Sequence, residues 1–473
     1  MNIDNQAACI SNSQRLDDGS AVVSRLNFRL ALVVLALASF SEFAGAQVLP
    51  NDAKPTCTFE SGEFAGWFAT GVVTVNGVVN PADSLTFRPS LHVPPNDPDC
   101  NFYKWSEQMF LWVTSPADHG ERVFHSPEFY GISAAAPDGT RTLQPLTQNI
   151  DLFVLTSKPV EQGGEVGSRA VLMAGNNSLV YYGSQVNDVY AYFLTGTKNG
   201  GITPKPTRFP IEQPELDKIT AFAASHGTRF RDSNALVVEV KSAWVETAGL
   251  DASKYITMTA TIPTYTSDPS NSRWTPNGSK QAQLALVGLH VAGSMNGHPE
   301  MVWASFEHID NTPMASYSYN NTSNQTIQVD PNQAGTWLFS AHNCTVPFNN
   351  ERMHARNVPY IDAFPGKTIG PIDTCRENAW GSSPNDSRLA EKNTQIIAIN
   401  NSIIGMLPSG DVRKNYLLIG TTWNLGVGTS RLANTTLETF VQDKNCFSCH
   451  NGDLAGGNLS HMFGPLMPLF PSP

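Results

Sequence analysis

Apolar and polar side chains alternate with a period of two through the middle of this chain. Leu236, Val238 and Val240 interleave with Glu239 and Lys241. Ile256, Met258, Ala260 and Ile262 fall on one face of 255–265, with Thr257, Thr259 and Thr261 on the other. Successive side chains of a strand point to opposite faces, so the alternation predicts half-buried strands. Stretches 283–292 and 301–309 predict two more, joined by the turn-rich Gly293-Ser294-Met295-Asn296-Gly297-His298-Pro299-Glu300. Pairing about that turn sends His290 and His308 to opposite faces, a relation that a one-residue slip reverses.

Elsewhere the period lengthens. Phe102, Trp105, Met109, Trp112 and Val113 are spaced for a helix that ends near Pro116. A short helix is predicted over 214–226, with Leu216, Ile219 and Phe222 inward and Gly227 as its stop. Residues 57–98 read as short strands and loops, and 320–335 as a polar loop. Beyond Ala379, Asp386 or Ser387 caps a helix carrying Leu389, Ile396, Ile399, Ile403 and Leu407, closed by Pro408. Residues 416–423 predict a strand. Thr435 and Glu438 form a capping-box pattern that predicts a helix over 435–442, leading to Cys446. The resulting expectation is an α+β fold. A β-rich, antiparallel, sandwich- or barrel-like body spans 47–379, and a mainly helical segment spans 380–473.

The first 46 residues read differently. Arg25 and Arg29 precede an apolar run from Leu30 to Phe40, which ends in the small-x-small sequence Ala44-Gly45-Ala46. That is the form of a signal peptide cut before Gln47. The run has 11 residues, whereas a spanning helix needs about 20. No other stretch reaches that length, so the expected mature protein is periplasmic or secreted, without a membrane span. The net charge of −11 and the lack of basic runs argue against nucleic acid as a partner. An acidic surface would instead attract a small basic redox protein.

Export also decides how the seven cysteines are read. Cys9 goes with the leader, and Cys446 and Cys449 belong to a separate motif. Cys57, Cys100, Cys344 and Cys375 remain, and in an oxidising compartment they predict two disulfides with three possible connectivities. The local pairs Cys57–Cys100 and Cys344–Cys375 are favoured. A metal site of Cys344, Cys375, His342 and His354 would lack the usual C-x-x-C spacing.

The strongest chemical signal is Cys446-Phe447-Ser448-Cys449-His450. Two thiols three positions apart on one turn can add to the two vinyl groups of haem, and the next histidine then lies under the iron. At this cysteine and histidine content, a chance match occurs about once in four hundred such chains. A thioredoxin-like dithiol would need a βαβ setting, which the pattern lacks. The cofactor expected is one covalent haem c, held by Cys446, Cys449 and His450, with His450 as proximal iron ligand.

Around this motif the sequence resembles exported proteobacterial "cytochrome c family" proteins of undefined activity. The resemblance rests on Leu432-Ala433-Asn434-Thr435-Thr436-Leu437-Glu438-Thr439-Phe440 followed by the Cys446–His450 motif. It extends to Tyr416-Leu417-Leu418-Ile419-Gly420-Thr421-Thr422-Trp423 and to the block from His298 to His308. It implies a single haem on the same three residues and no particular reaction.

Only 23 residues follow His450, so the distal side of the haem comes from that tail or from upstream. The tail offers Met462 and Met467 as distal ligands, and also His461. The upstream histidines are His290, His298 and His308, and such residues more often serve as structural hydrogen-bonding groups. No G-x-S-x-G, H-E-x-x-H or phosphate loop is present. Three functions follow. The first is electron transfer by a monohaem cytochrome with a redox partner protein. The second is an open-site haem enzyme, peroxidase- or oxygenase-like, acting on a small-molecule substrate. The third makes the β-rich region a ligand or partner module with the haem as sensor. A haem module needs only about 100 residues, so the large β-rich body keeps the second in view.

Overall fold

The computed structural model describes residues 46–471 apart from 89–97, 119, 147–169, 333–336, 342–343, 345–352, 355–359, 364–365, 425, 451–453 and 455–458. The expected leader lies outside the described residues except for Ala46. Five α-helices are described: α1 (Ser61–Trp67), α2 (Pro98–Val113), α3 (Asp188–Asn199), α4 (Gln213–Ser225) and α5 (Leu389–Met406). The strands are β1 (Phe129–Ile132), β2 (Leu143–Pro145), β3 (Ala170–Val171), β4 (Tyr181–Asn187), β5 (Val238–Glu246), β6 (Thr257–Ser267) and β7 (Arg273–Met295). They continue with β8 (His298–His308), β9 (Tyr317–Asn320), β10 (Thr326–Val329), β11 (Met353–His354), β12 (Ile361–Ala363), β13 (Tyr416–Trp423) and β14 (Val427–Gly428).

The expected α+β class with a large antiparallel sheet is what forms. The main path runs β14-β13-β8-β7-β5-β4-β1-β2, and the long β7 also pairs with β6. β13, from the 380–473 stretch, pairs with β8 inside this sheet. Residues 41–473 form one compact unit. Among the described residues no helix is long and apolar enough to cross a membrane.

Strand parity sorts the side chains. Val240, Leu289, Val291, Ala304 and Phe306 belong to the same apolar cluster as residues of α2 and α5; the Phe110 ring of α2 stacks on Phe306 at 4.4 Å. Val186, Ala292 and Trp303 pack into a second cluster with α3, α4 and the C-terminal segment. All eight residues of β13 are buried, as expected of a strand covered on both faces. In the β7–β8 register His290 stands opposite Ser305. His290 therefore shares a face with Ser305 and Glu307, and His308 lies on the other face, as the alternation predicted.

Three local expectations are corrected. Residues 61–67, within the stretch read as strands and loops, form α1, because Phe64 and Trp67 recur at helical spacing and are both buried. The polar stretch 320–335 contains β10, which pairs with β9. Its side chains alternate between exposed and half-buried, so this edge ribbon needs little apolar content. The helix expected over 435–442 is a series of turns. Thr435 and Thr439 divert their hydroxyls, to Glu307 and to the Thr435 carbonyl. Such side-chain bonds compete with a regular helix.

Both local disulfides form, with Cα–Cα distances of 5.5 Å for Cys57–Cys100 and 5.4 Å for Cys344–Cys375. Loops of this length give about 4 kcal/mol each in the chain-entropy treatment. The Cys344–Cys375 bond also removes the thiolates that a metal site with His342 and His354 would need.

Candidate functional site

The segment that carries Cys446 is pinned to the sheet at several points upstream. Glu307 of β8 and Arg376 form a buried ion pair. The Glu307 carboxylate also accepts from the Thr435 amide and, at 2.7 Å, from the Thr435 hydroxyl. Arg376 Nη1 donates to the Ala433 carbonyl at 3.2 Å. Gly288 of β7 lets the next turn approach, since a Cβ there would lie 2.2 Å from Thr436 Oγ1 and 2.6 Å from Asn434 Oδ1.

Glu438 is the next anchor. Its carboxylate accepts from His290 Nε2 at 2.7 Å, Lys241 Nζ at 3.4 Å and the Asn434 amide at 3.1 Å. Glu438 thus reaches back four residues to Asn434, whose Oδ1 accepts from the Thr436 amide at 3.0 Å, and the expected capping box does not form. Thr435, the partner expected, points to Glu307 instead. Gln442 closes the segment, donating to the Cys375 carbonyl at 2.8 Å and accepting from the Glu377 amide at 3.0 Å.

The motif is one tight turn. Asn445 Oδ1 accepts from the Phe447 amide at 2.9 Å, and the amides of Cys449 and His450 donate to the Cys446 carbonyl at 3.1 and 2.9 Å. Residues three apart on such a turn share a side. Cys446 and Cys449 are both half-buried, and neither belongs to the two disulfides. Phe447 is buried among Trp303, Leu454, Leu459 and Phe463, which contributes about 2 kcal/mol to holding the turn.

His450 Nδ1 lies 3.1 Å from the Leu459 carbonyl. A carbonyl only accepts, so Nδ1 carries the proton and Nε2 keeps its lone pair. The ring sits 4.2 Å from that of Trp303 and is stacked at 4.1 Å on His461. Burial, then the neighbouring His461, push the imidazole down to about 3, so it is neutral near pH 7. Two thiols on one turn and a neutral imidazole with a lone pair on Nε2 are the donor set that covalent haem requires. Among the described residues, no three His, Cys, Asp or Glu side chains are grouped to hold a bare metal ion.

The other expected ligands separate clearly. Met462 is half-buried against the cluster around Phe447. Met467 is 48% exposed, and its amide donates to the Arg141 carbonyl. His461 Nε2 donates to the Cys449 carbonyl at 3.1 Å. His290 is held by Glu438, and His298 Nδ1 donates to Glu300 at 2.9 Å. His308 is spent entirely, donating to the Lys254 carbonyl at 3.1 Å and accepting from the Asp310 amide at 3.2 Å. Three residues of the site were not singled out by the sequence pattern: Trp303, Leu459 and Glu239, which accepts from the hydroxyl of Ser460, the residue after Leu459, at 2.6 Å. Glu239 alone left a signal, as a carboxylate interleaved with valines.

The chain matches no family model, and no curated protein or solved structure matches it significantly.

Proposed function

We propose that this protein is an exported monohaem c-type cytochrome that transfers electrons. The reading is carried by one arrangement: Cys446 and Cys449 on a single turn, followed by His450 with its Nδ1–H tied to Leu459 and its Nε2 lone pair available. The resemblance of the segments around Asn434, Trp423 and Trp303 to exported "cytochrome c family" proteins supports it, and the two disulfides are compatible with an extracytoplasmic location.

Cys446 and Cys449 would each add S–H across one haem vinyl group, sulfur to the inner carbon and hydrogen to the outer. Nothing leaves, and no net oxidation occurs. His450 Nε2 would hold the iron, while the Leu459 carbonyl fixes the ring's tautomer and orientation. Bound haem supplies a one-electron Fe(III)/Fe(II) couple. Phe447 and Trp303, packed beside the turn, exclude water from its inner side.

Expression of the full chain with export and a working haem-attachment system tests this. Haem staining on a denaturing gel should show one covalent haem, lost in the Cys446→Ser/Cys449→Ser double variant. Wild-type protein without covalent haem overturns the proposal. Ready binding of carbon monoxide to the untreated reduced protein would replace electron transfer by the open-site enzyme or sensor.

A further inference from the structure

The carbonyl that holds His450 is itself clamped. Leu459 buries its side chain in the apolar cluster around Phe447, and the next residue, Ser460, is buried. Ser460 Oγ donates to Glu239 Oε2 at 2.6 Å. Its only proton is spent there, so Tyr190 O–H donates to Ser460 Oγ, at 2.8 Å. Glu239 lies in β5, flanked by β4 and β7. Tyr190 lies in the first turn of α3, fully buried, with its ring 5.5 Å from Phe209 and 6.4 Å from Phe463.

The Leu459 carbonyl and the Ser460 amide belong to one rigid peptide plane. A side chain that fixes Ser460 therefore fixes the direction of the carbonyl facing His450 Nδ1. A buried carboxylate is costly to keep for packing alone. Burial acts against its charged form, which the Ser460 hydrogen bond and then the fields of Lys241 and His290 favour; among the described residues no cation is hydrogen-bonded to it. One carboxylate oxygen takes the Ser460 hydroxyl, at the corner next to the histidine.

We infer that Glu239, Tyr190 and Ser460 are positioning residues for His450, a side-chain relay that sets the strength of the Nδ1–H bond to Leu459. The inference rests on the haem reading above. A strong bond at Nδ1 makes the imidazole more electron-rich, which favours ferric over ferrous iron. Loosening the relay should therefore raise the haem midpoint potential. The relay touches neither iron nor thiols, so haem attachment should be unaffected.

The experiment measures the midpoint potential of the exported, haem-loaded full chain, with covalent haem per chain as a parallel readout. Ser460→Ala should shift the potential upward at unchanged haem content, and Ser460→Thr, which keeps the hydroxyl, should return it toward wild type. Tyr190→Phe removes one hydroxyl and preserves the ring. It should shift the potential in the same direction, which keeps the test decisive if Ser460→Ala fails to fold. Haem-loaded variants with wild-type potentials overturn this inference alone. Wild-type protein without covalent haem overturns the cytochrome reading, and this inference with it.

Discussion

His290 on β7 and Glu438 in the turn before the motif are joined at 2.7 Å, across 148 residues of sequence. The contact fastens the segment that leads to Cys446 to the sheet. Glu438→Ala would strand the Asn434 amide and the His290 imidazole, at a cost of about 1–3 kcal/mol. Denaturant titration should show a lower midpoint with an unchanged slope. An unaltered midpoint would mean that the anchors at Glu307, Arg376 and Gln442 hold the turn without Glu438.

Glu307 and Arg376 test the neighbouring anchor. Arg376→Met leaves the Glu307 carboxylate buried without its cation, and the expected loss is about 3–5 kcal/mol. The double variant Glu307→Gln/Arg376→Met should recover a large part of it, because no charge is then left unpaired. A double variant no more stable than Arg376→Met would contradict the ion-pair account.

His308 predicts a pH dependence of defined sign. Burial holds it neutral, with the folded value near 3 against about 6.5 unfolded. The unfolded chain thus takes up a proton as pH falls below about 6.5, and the stability linked to His308 is lost from there down to about 3. Asp188 and Glu128, raised by burial to about 8 and about 7, act oppositely and lose stability as pH rises above about 4. The His308 contribution must therefore be read as a difference. The stability gap between wild type and His308→Gln should narrow steadily between pH 7 and pH 4. A gap constant with pH would place the His308 shift elsewhere.

The two tail methionines make different predictions. Met462 lies against the cluster beside the motif, whereas Met467 is turned largely to solvent. In the haem-loaded ferric protein, Met462→Ala should abolish the weak far-red band of methionine-ligated haem, and Met467→Ala should leave it. A band that survives both changes excludes a tail methionine.

Cleavage after Ala46, the cut expected from the sequence, would leave a seated N-terminus. The Gln47 backbone nitrogen donates to the Ile309 carbonyl at 3.0 Å, and its side-chain amide donates to the Thr312 carbonyl at 2.7 Å and to Asn332 at 3.0 Å. Intact mass of the exported protein should correspond to a chain beginning at Gln47. A mature chain beginning downstream of Gln47 would remove these three bonds and contradict the expected cut.

Local pattern made much of this fold legible. The pairing of β7 with β8, and hence the opposite faces of His290 and His308, followed from period-two alternation about one turn. α2, α4 and α5 followed from helical spacing, and the disulfides from short loops. α3 escaped because Val189, Tyr190, Ala191, Tyr192, Phe193 and Leu194 are all buried. A helix buried on every side has no polar face to mark its period. At the site, the Cys446–His450 motif was self-announcing because its chemistry is contiguous. Its supports are not: Trp303 and Glu239 reach it from distant strands, through registers that no single stretch of sequence specifies.

The contacts that seat the motif also set an order of assembly. Glu239, His290, Trp303 and Glu307 emerge from synthesis long before Ser460, Glu438, His450 and Thr435, which they contact. The sheet face must wait, polar and incomplete, for a segment that arrives more than a hundred residues later. Loop closure over such distances is slow compared with forming the hairpin of β7 and β8. On the haem reading, that delay would leave Cys446 and Cys449 an interval on an undocked stretch of chain, reachable by the enzyme that attaches haem. Docking of Glu307 onto Thr435 would end the interval.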